Sequence, residues 1–336
     1  MKKVGKAVLR VLGGVLAVLL CALLVLYIVP LTETEDKTAV DGSAEWMAAL
    51  DDGLPLSEVV LPGTHDSATK YVQLAFFSKC QAKDIGAQLE AGYRYLDIRL
   101  GTTGGGDEWF KLMHGFTSCK TGAAPWSDAL YIGKVLQQCY DFLDAHPTET
   151  VVFAVKQEHG GLPDGAFESD LDAVIRSVYE RSDRWLLTDH IPTVGEARGK
   201  LVLMRRYEDA AGLGAESGIP LLWEDQGGHD DVSLNTVASD NGSYTLWVQD
   251  RFKYDLGDKW AAFTAGMAAG ETGADAASVN FLSTNGTAAY GHPYKYAKDL
   301  NARLAALPQS QLRGWVIVDF AAAPLAEHIY GANFAN

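Results

Sequence analysis

Tyr93-Arg94-Tyr95-Leu96-Asp97-Ile98-Arg99-Leu100 reads as a β-strand with two different faces. Side chains alternate across a strand, so Leu96, Ile98 and Leu100 share one face while Asp97 and Arg99 share the other. Charges interleaved with aliphatics at a strand's end are poorly explained as a solvated face. The pattern recurs outward along the chain in short apolar runs near 57–61, 109–114, 150–156, 200–207, 244–250, 277–282 and 314–320. Polar residues gather at their carboxyl ends: His65 and Asp66, His114, Lys156 and Glu158, Arg206, Asp250, and Asp319. Between the runs lie helical periodicities, the clearest being Ile132, Val135, Leu136, Cys139 and Leu143. Ser127 is a candidate N-cap for that helix and His146-Pro147 a stop; 167–181, 259–269 and 294–307 also read as helix. Eight strands with helical crossovers predict an α/β fold, an irregular (β/α)8 TIM barrel, whose active site lies at the strands' carboxyl rim. A doubly wound open sheet is the structural alternative. The Gly- and Asp-rich stretch 207–243 is expected to replace a helix with a long loop.

The first thirty residues stand apart. Lys2, Lys3, Lys6 and Arg10 precede an apolar run from 11 to 29, and no acid occurs before Glu33. That run approaches the roughly 20 residues that span a bilayer and exceeds a signal peptide's apolar region of about 7–15 residues. We therefore expect a single-pass transmembrane signal anchor over 1–30, an acidic tether over 31–45, and a catalytic domain over 46–336 outside the cell membrane. Secretion after signal cleavage is the alternative. The chain's formal charge is −15, and removing the anchor's four positive charges leaves −19. So acidic a remainder argues against nucleic acid as a partner and against electrostatic attraction to anionic lipid. Of the cysteines outside the anchor, Cys139 falls on an apolar helix face, which leaves Cys80 and Cys119 as the expected disulfide in an oxidising compartment, with three free thiols as the alternative.

His65 lies in Leu61-Pro62-Gly63-Thr64-His65-Asp66-Ser67 and His114 in Met113-His114-Gly115, each at a glycine-flanked turn after an apolar run. Near neutral pH one imidazole can accept a proton while another donates one, and an arginine between them suits an anionic reacting group. This is the equipment for attack of a hydroxyl on a phosphodiester. Asp66 or Asp97 would hold the Arg99 fork, and Asp319 would fix the tautomer of the base.

Seven segments in order then resemble the bacterial phosphatidylinositol-specific phospholipases C. They are 61–67, Leu-Asp-Ile-Arg at 96–99, His-Gly at 114–115, His-Pro-Thr-Glu-Thr at 146–150, 197–207, Val-Gln-Asp-Arg-Phe-Lys at 248–253, and Gly-Trp-Val-Ile-Val-Asp at 314–319. The resemblance implies cleavage of the glycerol–phosphate bond of phosphatidylinositol by its own inositol 2-hydroxyl, yielding a cyclic inositol phosphate and diacylglycerol. It implies His65 as general base, His114 as general acid, Arg99 with Asp66 at the phosphate, and Asp319 behind His65. Lys156, Glu158, Arg206, Asp250 and Phe252 are then the contacts to the inositol ring, Phe252 standing where the family usually carries tyrosine. The guanidinium of Arg99 occupies the place of a cation, so no metal and no cofactor are expected. A monomer working on phosphatidylinositol or a related inositol lipid is expected. Phe76 and Phe77, with Tyr290, are expected to contact the substrate membrane. The competing functions are a glycerophosphodiester phosphodiesterase-like hydrolase, which would need a carboxylate metal site, and a catalytically inactive inositol-lipid-binding protein.

Overall fold

The computed structural model describes all residues except 1, 34–35, 103–108, 178–180, 228–234, 239–242, 288–290 and 336, with backbone only at 2–4 and 235–238. Its strands are β1 (Leu61–Thr64), β2 (Tyr95–Thr102), β3 (Phe110–His114), β4 (Thr117–Ser118), β5 (Val151–His159), β6 (Trp185–Leu186), β7 (Leu201–Arg205), β8 (Ile219–Pro220), β9 (Asn235–Ala238), β10 (Thr245–Gln249), β11 (Ala276–Phe281) and β12 (Trp315–Val318). They form one sheet in the order β6-β7-β5-β2-β1-β12-β11-β10-β9. Pairing is parallel along this path except where β9 meets β10. Among the described residues no ladder joins the two ends of the path. The sheet is a curled parallel half-barrel, with β8 added beside β7. The Tyr244 hydroxyl donates to the Pro220 carbonyl, linking the start of β10 to β8 by a side chain instead of a ladder.

The two-faced reading of β2 holds. Leu96, Ile98 and Leu100 pack outward with Val151, Phe153 and Val155 of β5 and with Leu201 and Leu203 of β7. That layer is covered by helices α3 (Ile85–Glu90), α4 (Ile132–Ala145) and α5 (Asp164–Ser177). Tyr95 points inward, among Val152, Ala154, Val202, Met204, Val248, Val279 and Ile317. Each such fully buried side chain contributes about 1.5–3 kcal/mol. β1 fits between β2 and β12 because Gly63 has no side chain: a Cβ there would lie 2.4 Å from Ile317 Cδ1 and 2.8 Å from Tyr95 Cβ.

The run at 109–114 departs from expectation. It forms β3, antiparallel to β2, since the few residues after Thr102 are too short for a crossover helix. The stretch 207–243 carries β8 and β9 but no α-helix among its described residues. α4 takes Tyr131 as its N-cap residue instead of Ser127, and it stops at His146 as expected. The remaining helices are α1 (Lys2–Leu23), α2 (Ala75–Ser78), α6 (Val194–Ala197), α7 (Leu256–Ala269), α8 (Pro293–Ala305) and α9 (Ala323–Tyr330). α1 runs on through a π turn and a 3-10 turn to Thr32, and 5–32 is long and apolar enough to cross a membrane.

At the amino end of the parallel strands, Arg94 is fully buried. Its guanidinium meets Glu149 at 2.8 and 3.0 Å and donates to the carbonyls of Leu89, Tyr93, Ser43 and Ala44.

Candidate active site

The carboxyl end of β1 turns sharply. Asp66 adopts φ 42°, a left-handed conformation that aspartate tolerates better than most residues. Its backbone N–H donates to Asp97 Oδ2 at 3.1 Å, and the Asp97 N–H donates to Ser67 Oγ at 2.8 Å. Gln81 Nε2 donates to the carbonyls of His65 and Val318, fastening the turn to β12. These bonds hold His65 and Asp66 over the rim beside the ends of β2 and β12.

The two histidines face each other with ring centroids 6.3 Å apart. His65 Nδ1 lies 2.8 Å from Asp319 Oδ1, and its Nε2 lies 3.5 Å from Asp66 Oδ2. His114 Nδ1 donates to the Ser78 carbonyl at 2.8 Å and lies 3.4 Å from the same Asp66 oxygen. Both imidazoles are thus anchored through Nδ1, leaving Nε2 for substrate. Arg99 reaches Asp66 at 3.2 Å, Asp97 at 3.0 Å and Glu158 at 3.4 Å. Glu158 in turn accepts from the Gly115 N–H at 3.0 Å and pairs with Lys156 at 2.8 Å.

Electrostatics follow from burial and these pairs. Burial opposes the imidazolium of His65 and the Arg99 charge repels it, but the Asp319 carboxylate, by charge and hydrogen bond, and the Asp66 charge together outweigh them, so the pKa rises above the ordinary 6.5. Burial pushes the Asp66 carboxyl up, against the pull of Arg99 and both histidines. Against the same burial, Arg99 and Arg206 hold Asp97 well below the usual carboxylate range, and Arg99 and Lys156 do so for Glu158.

A cavity of about 490 Å³ opens over this cluster, and it brings together every expected catalytic and ring-binding side chain except Asp66, which is buried behind them against Arg99 and the two histidines. Arg206 pairs with Asp97 at 3.1 Å and stacks 3.8 Å over the Trp223 ring, whose indole N–H donates to Asp250 at 3.3 Å. Phe252 closes the same wall; a Cβ on Gly227 would fall 2.3 Å from its ring. Trp223 and Asp225 were not found in the sequence. They sit in the stretch read as loop, with no periodicity to single them out.

Two expectations change. Cys80 and Cys119 are free, not bridged. Cys80 Sγ turns toward His114 Nδ1 at 3.8 Å in the cavity floor, whereas Cys119 packs in the outer core. Phe76 and Phe77 are half-buried: Phe76 stacks flat on His292 at 4.1 Å, and Phe77 lines the cavity. Among the described residues the most exposed aromatics are Trp126, at 86%, and Phe116, at 64%. Tyr290 lies outside the described residues.

Ligand-type atoms also converge in two sets, His65 with Cys80 and Asp319, and Asp66 with Cys80 and His114. They suit a metal poorly. Burial beside Asp319 and Asp66 drives the Cys80 thiol well above its ordinary pKa, keeping it protonated, and Arg99 already neutralises Asp66.

The chain is 30% identical over 294 residues to the 1-phosphatidylinositol phosphodiesterase of Staphylococcus aureus (strain Newman), covering 82% of this chain and 88% of that protein. The 1-phosphatidylinositol phosphodiesterase of Listeria monocytogenes is 26% identical over 168 residues, 48% of each chain. Among solved structures, a phosphatidylinositol-specific phospholipase C from S. aureus superposes with a TM-score of 0.71 at 26% identity, covering 86% of this chain and 97% of that one. The L. monocytogenes phospholipase C shares the fold with a TM-score of 0.62 at 19% identity, over 87% and 98% of the two chains. No protein-family model matches.

Proposed function

The chain belongs to the bacterial phosphatidylinositol-specific phospholipase C family, and from that premise we propose how its residues divide the reaction. It is an enzyme that cleaves the glycerol–phosphate bond of phosphatidylinositol. The observation that carries the division of labour is the pair of facing histidines, 6.3 Å apart, with Arg99 beside the carboxylate between them.

The inositol 2-hydroxyl gives its proton to His65 Nε2 as its oxygen bonds to phosphorus. The bond from phosphorus to the glycerol oxygen breaks, and that oxygen takes a proton from His114 Nε2. The products are a cyclic inositol phosphate and diacylglycerol. Asp319 holds His65 in the tautomer with Nε2 unprotonated and stabilises the imidazolium that forms, a role worth more in a site closed to water. The Arg99 fork meets the non-bridging phosphate oxygens as their charge grows, with Asp66 and Asp97 fixing its plane. It supplies the positive charge a cation would, so the reaction is metal-independent. Lys156, Glu158, Arg206 and Asp250 hydrogen-bond the ring hydroxyls, and Phe252 with Trp223 offers apolar faces to the ring.

We read 1–30 as an uncleaved membrane anchor, 31–45 as a tether and 46–336 as a monomeric extracellular catalytic domain, its half-barrel the irregular (β/α)8 barrel of the family with its gap opposite β1. Phosphorus NMR of the products from phosphatidylinositol vesicles, with and without EDTA, tests the chemistry. The expected result is a cyclic phosphodiester resonance unaffected by EDTA. Loss of activity in EDTA that calcium restores would overturn the metal-independent mechanism.

A further inference from the structure

Lys79 follows α2, and its ammonium donates to the carbonyls of Pro30 and Glu33, each at 2.8 Å. The Glu33 carboxylate is buried against His292 Nε2 at 2.9 Å, and His292 Nδ1 donates to the Phe76 carbonyl at 2.7 Å. The end of the apolar helix is therefore clamped to the catalytic domain instead of trailing from it.

Beside this clamp lies a second cavity of about 370 Å³, within the size range of small-ligand sites. One wall is apolar and comes from the helix end, through Tyr27, Pro30 and Leu31. The other carries Lys37, Lys70, Lys79 and Lys120 beside the Glu33 carboxylate that His292 holds, an excess of cations in a chain whose formal charge is −15. Lys70 is paired with Asp84 at 2.9 Å, while Lys37 and Lys120 have no carboxylate partner among the described residues. Gly122 to Pro125 form the rim, and the next residue is the exposed Trp126. Tryptophan and tyrosine favour the headgroup level of a bilayer, and lysines beside a membrane helix attract anionic headgroups.

The cleft and the active site share α2 and the two residues after it: Ala75 and Lys79 line the cleft, while Phe77 and Cys80 line the catalytic cavity. The β3–β4 hairpin spans the same distance, from His114 in the active site to Lys120 in the cleft, with exposed Phe116 at its turn.

We propose that this cleft binds the headgroup of an anionic phospholipid of the bilayer that holds the anchor, seating the catalytic mouth on that same membrane. The proposal rests on the anchor reading. Phosphate and glycerol oxygens would meet Lys37 and Lys120, and the first acyl carbons would lie along Tyr27 and Leu31.

The test uses full-length protein in nanodiscs, with bound lipid read by native mass spectrometry on release. Phosphatidylglycerol, an anionic lipid without an inositol ring, is the probe and phosphatidylcholine the neutral control. The expected result is retention of phosphatidylglycerol alone, reduced about tenfold or more in Lys37→Glu/Lys120→Glu. Turnover of a soluble monomeric substrate stays unchanged, which reports that the variant folds. Equal retention of the two lipids, or equal retention by wild type and variant, would overturn the site. Displacement by millimolar inorganic phosphate would assign the cleft to soluble anions and overturn the lipid. The intact mass of protein extracted from membranes reports the anchor separately: a chain shortened by the leader would sink the anchor reading whatever the lipid result.

Discussion

Arg94, just before β2, and Arg99, in its carboxyl half, differ in what completes them. Arg94 is fully buried, with its N–H groups spent on one carboxylate and four backbone carbonyls, and Phe142 lies 4.6 Å beneath it. Arg99 faces three carboxylates, from Asp66, Asp97 and Glu158, under an open cavity. A guanidinium saturated by the backbone organises the chain, since it ties the segment around Ser43 to the start of β2. One held by side-chain carboxylates beneath a cavity keeps its charge available to an anion. The amino pole of the sheet is thus built for stability and the carboxyl pole for chemistry.

The sharpest way to break this contrast is at the histidines. Replacing His65 or His114 with alanine is expected to lower kcat/KM by about 10²–10⁴-fold each, with the melting temperature nearly unchanged. A variant with near-normal turnover would remove that histidine from its role. Next come the two arginines, read by both assays. Arg99→Met is expected to lose about 10²–10³-fold in turnover, as for removal of a charge-stabilising donor. Arg94→Met leaves Glu149 buried without its cation and should cost about 3–5 kcal/mol in urea unfolding, with the folded fraction still active. If the two variants traded places, with Arg94→Met folded but dead, the division between the poles would fall.

Much of the chemical pole was legible in the sequence because strand periodicity fixes faces. Asp97 and Arg99 had to share a side, and their partners had to lie at other strand ends. The sequence did not distinguish Arg94 from Arg99 by composition, since both flank apolar residues of one run; saturation by backbone carbonyls is a tertiary property. It also concealed the open sheet. Whether β8 pairs with β10 depends on the path of 207–243, where no periodic pattern constrains the chain, and Trp223 and Asp225 were lost with it. Phe76 and Phe77 read as exposed because their burial comes from His292 and the cavity, more than 200 residues later in the chain.

Asp319 sharpens the contrast further, for it stabilises through charge what Arg94 stabilises through saturation. Asp319→Asn should reduce turnover by about 10–100-fold or more, the lower figures being those for carboxylates that orient a metal-bound histidine from behind. The pH profile separates this from a structural effect. His65 works as a base only when neutral, so kcat/KM falls as pH drops through its pKa, which Asp319 holds above 6.5. Without that carboxylate, burial and Arg99 act unopposed by it, the pKa falls, and the acidic limb moves to lower pH. A limb that stays in place while activity drops would make Asp319 a packing residue only.

The smallest expected effect concerns the thiols. A disulfide between Cys80 and Cys119 would tie the cavity floor to the outer core, and reducing a native bridge typically costs about 2–5 kcal/mol. Both thiols are free, and burial holds each well above its ordinary pKa, so neither forms the thiolate that exchange requires. Unfolding midpoints in the presence and absence of dithiothreitol should therefore coincide, and turnover should be the same in both. A midpoint lowered by the reductant would restore the bridge and move Cys80 out of contact with His114. The chemical pole would then depend on a covalent staple, as the amino pole depends on Arg94, and the contrast between them would narrow to the carboxylates alone.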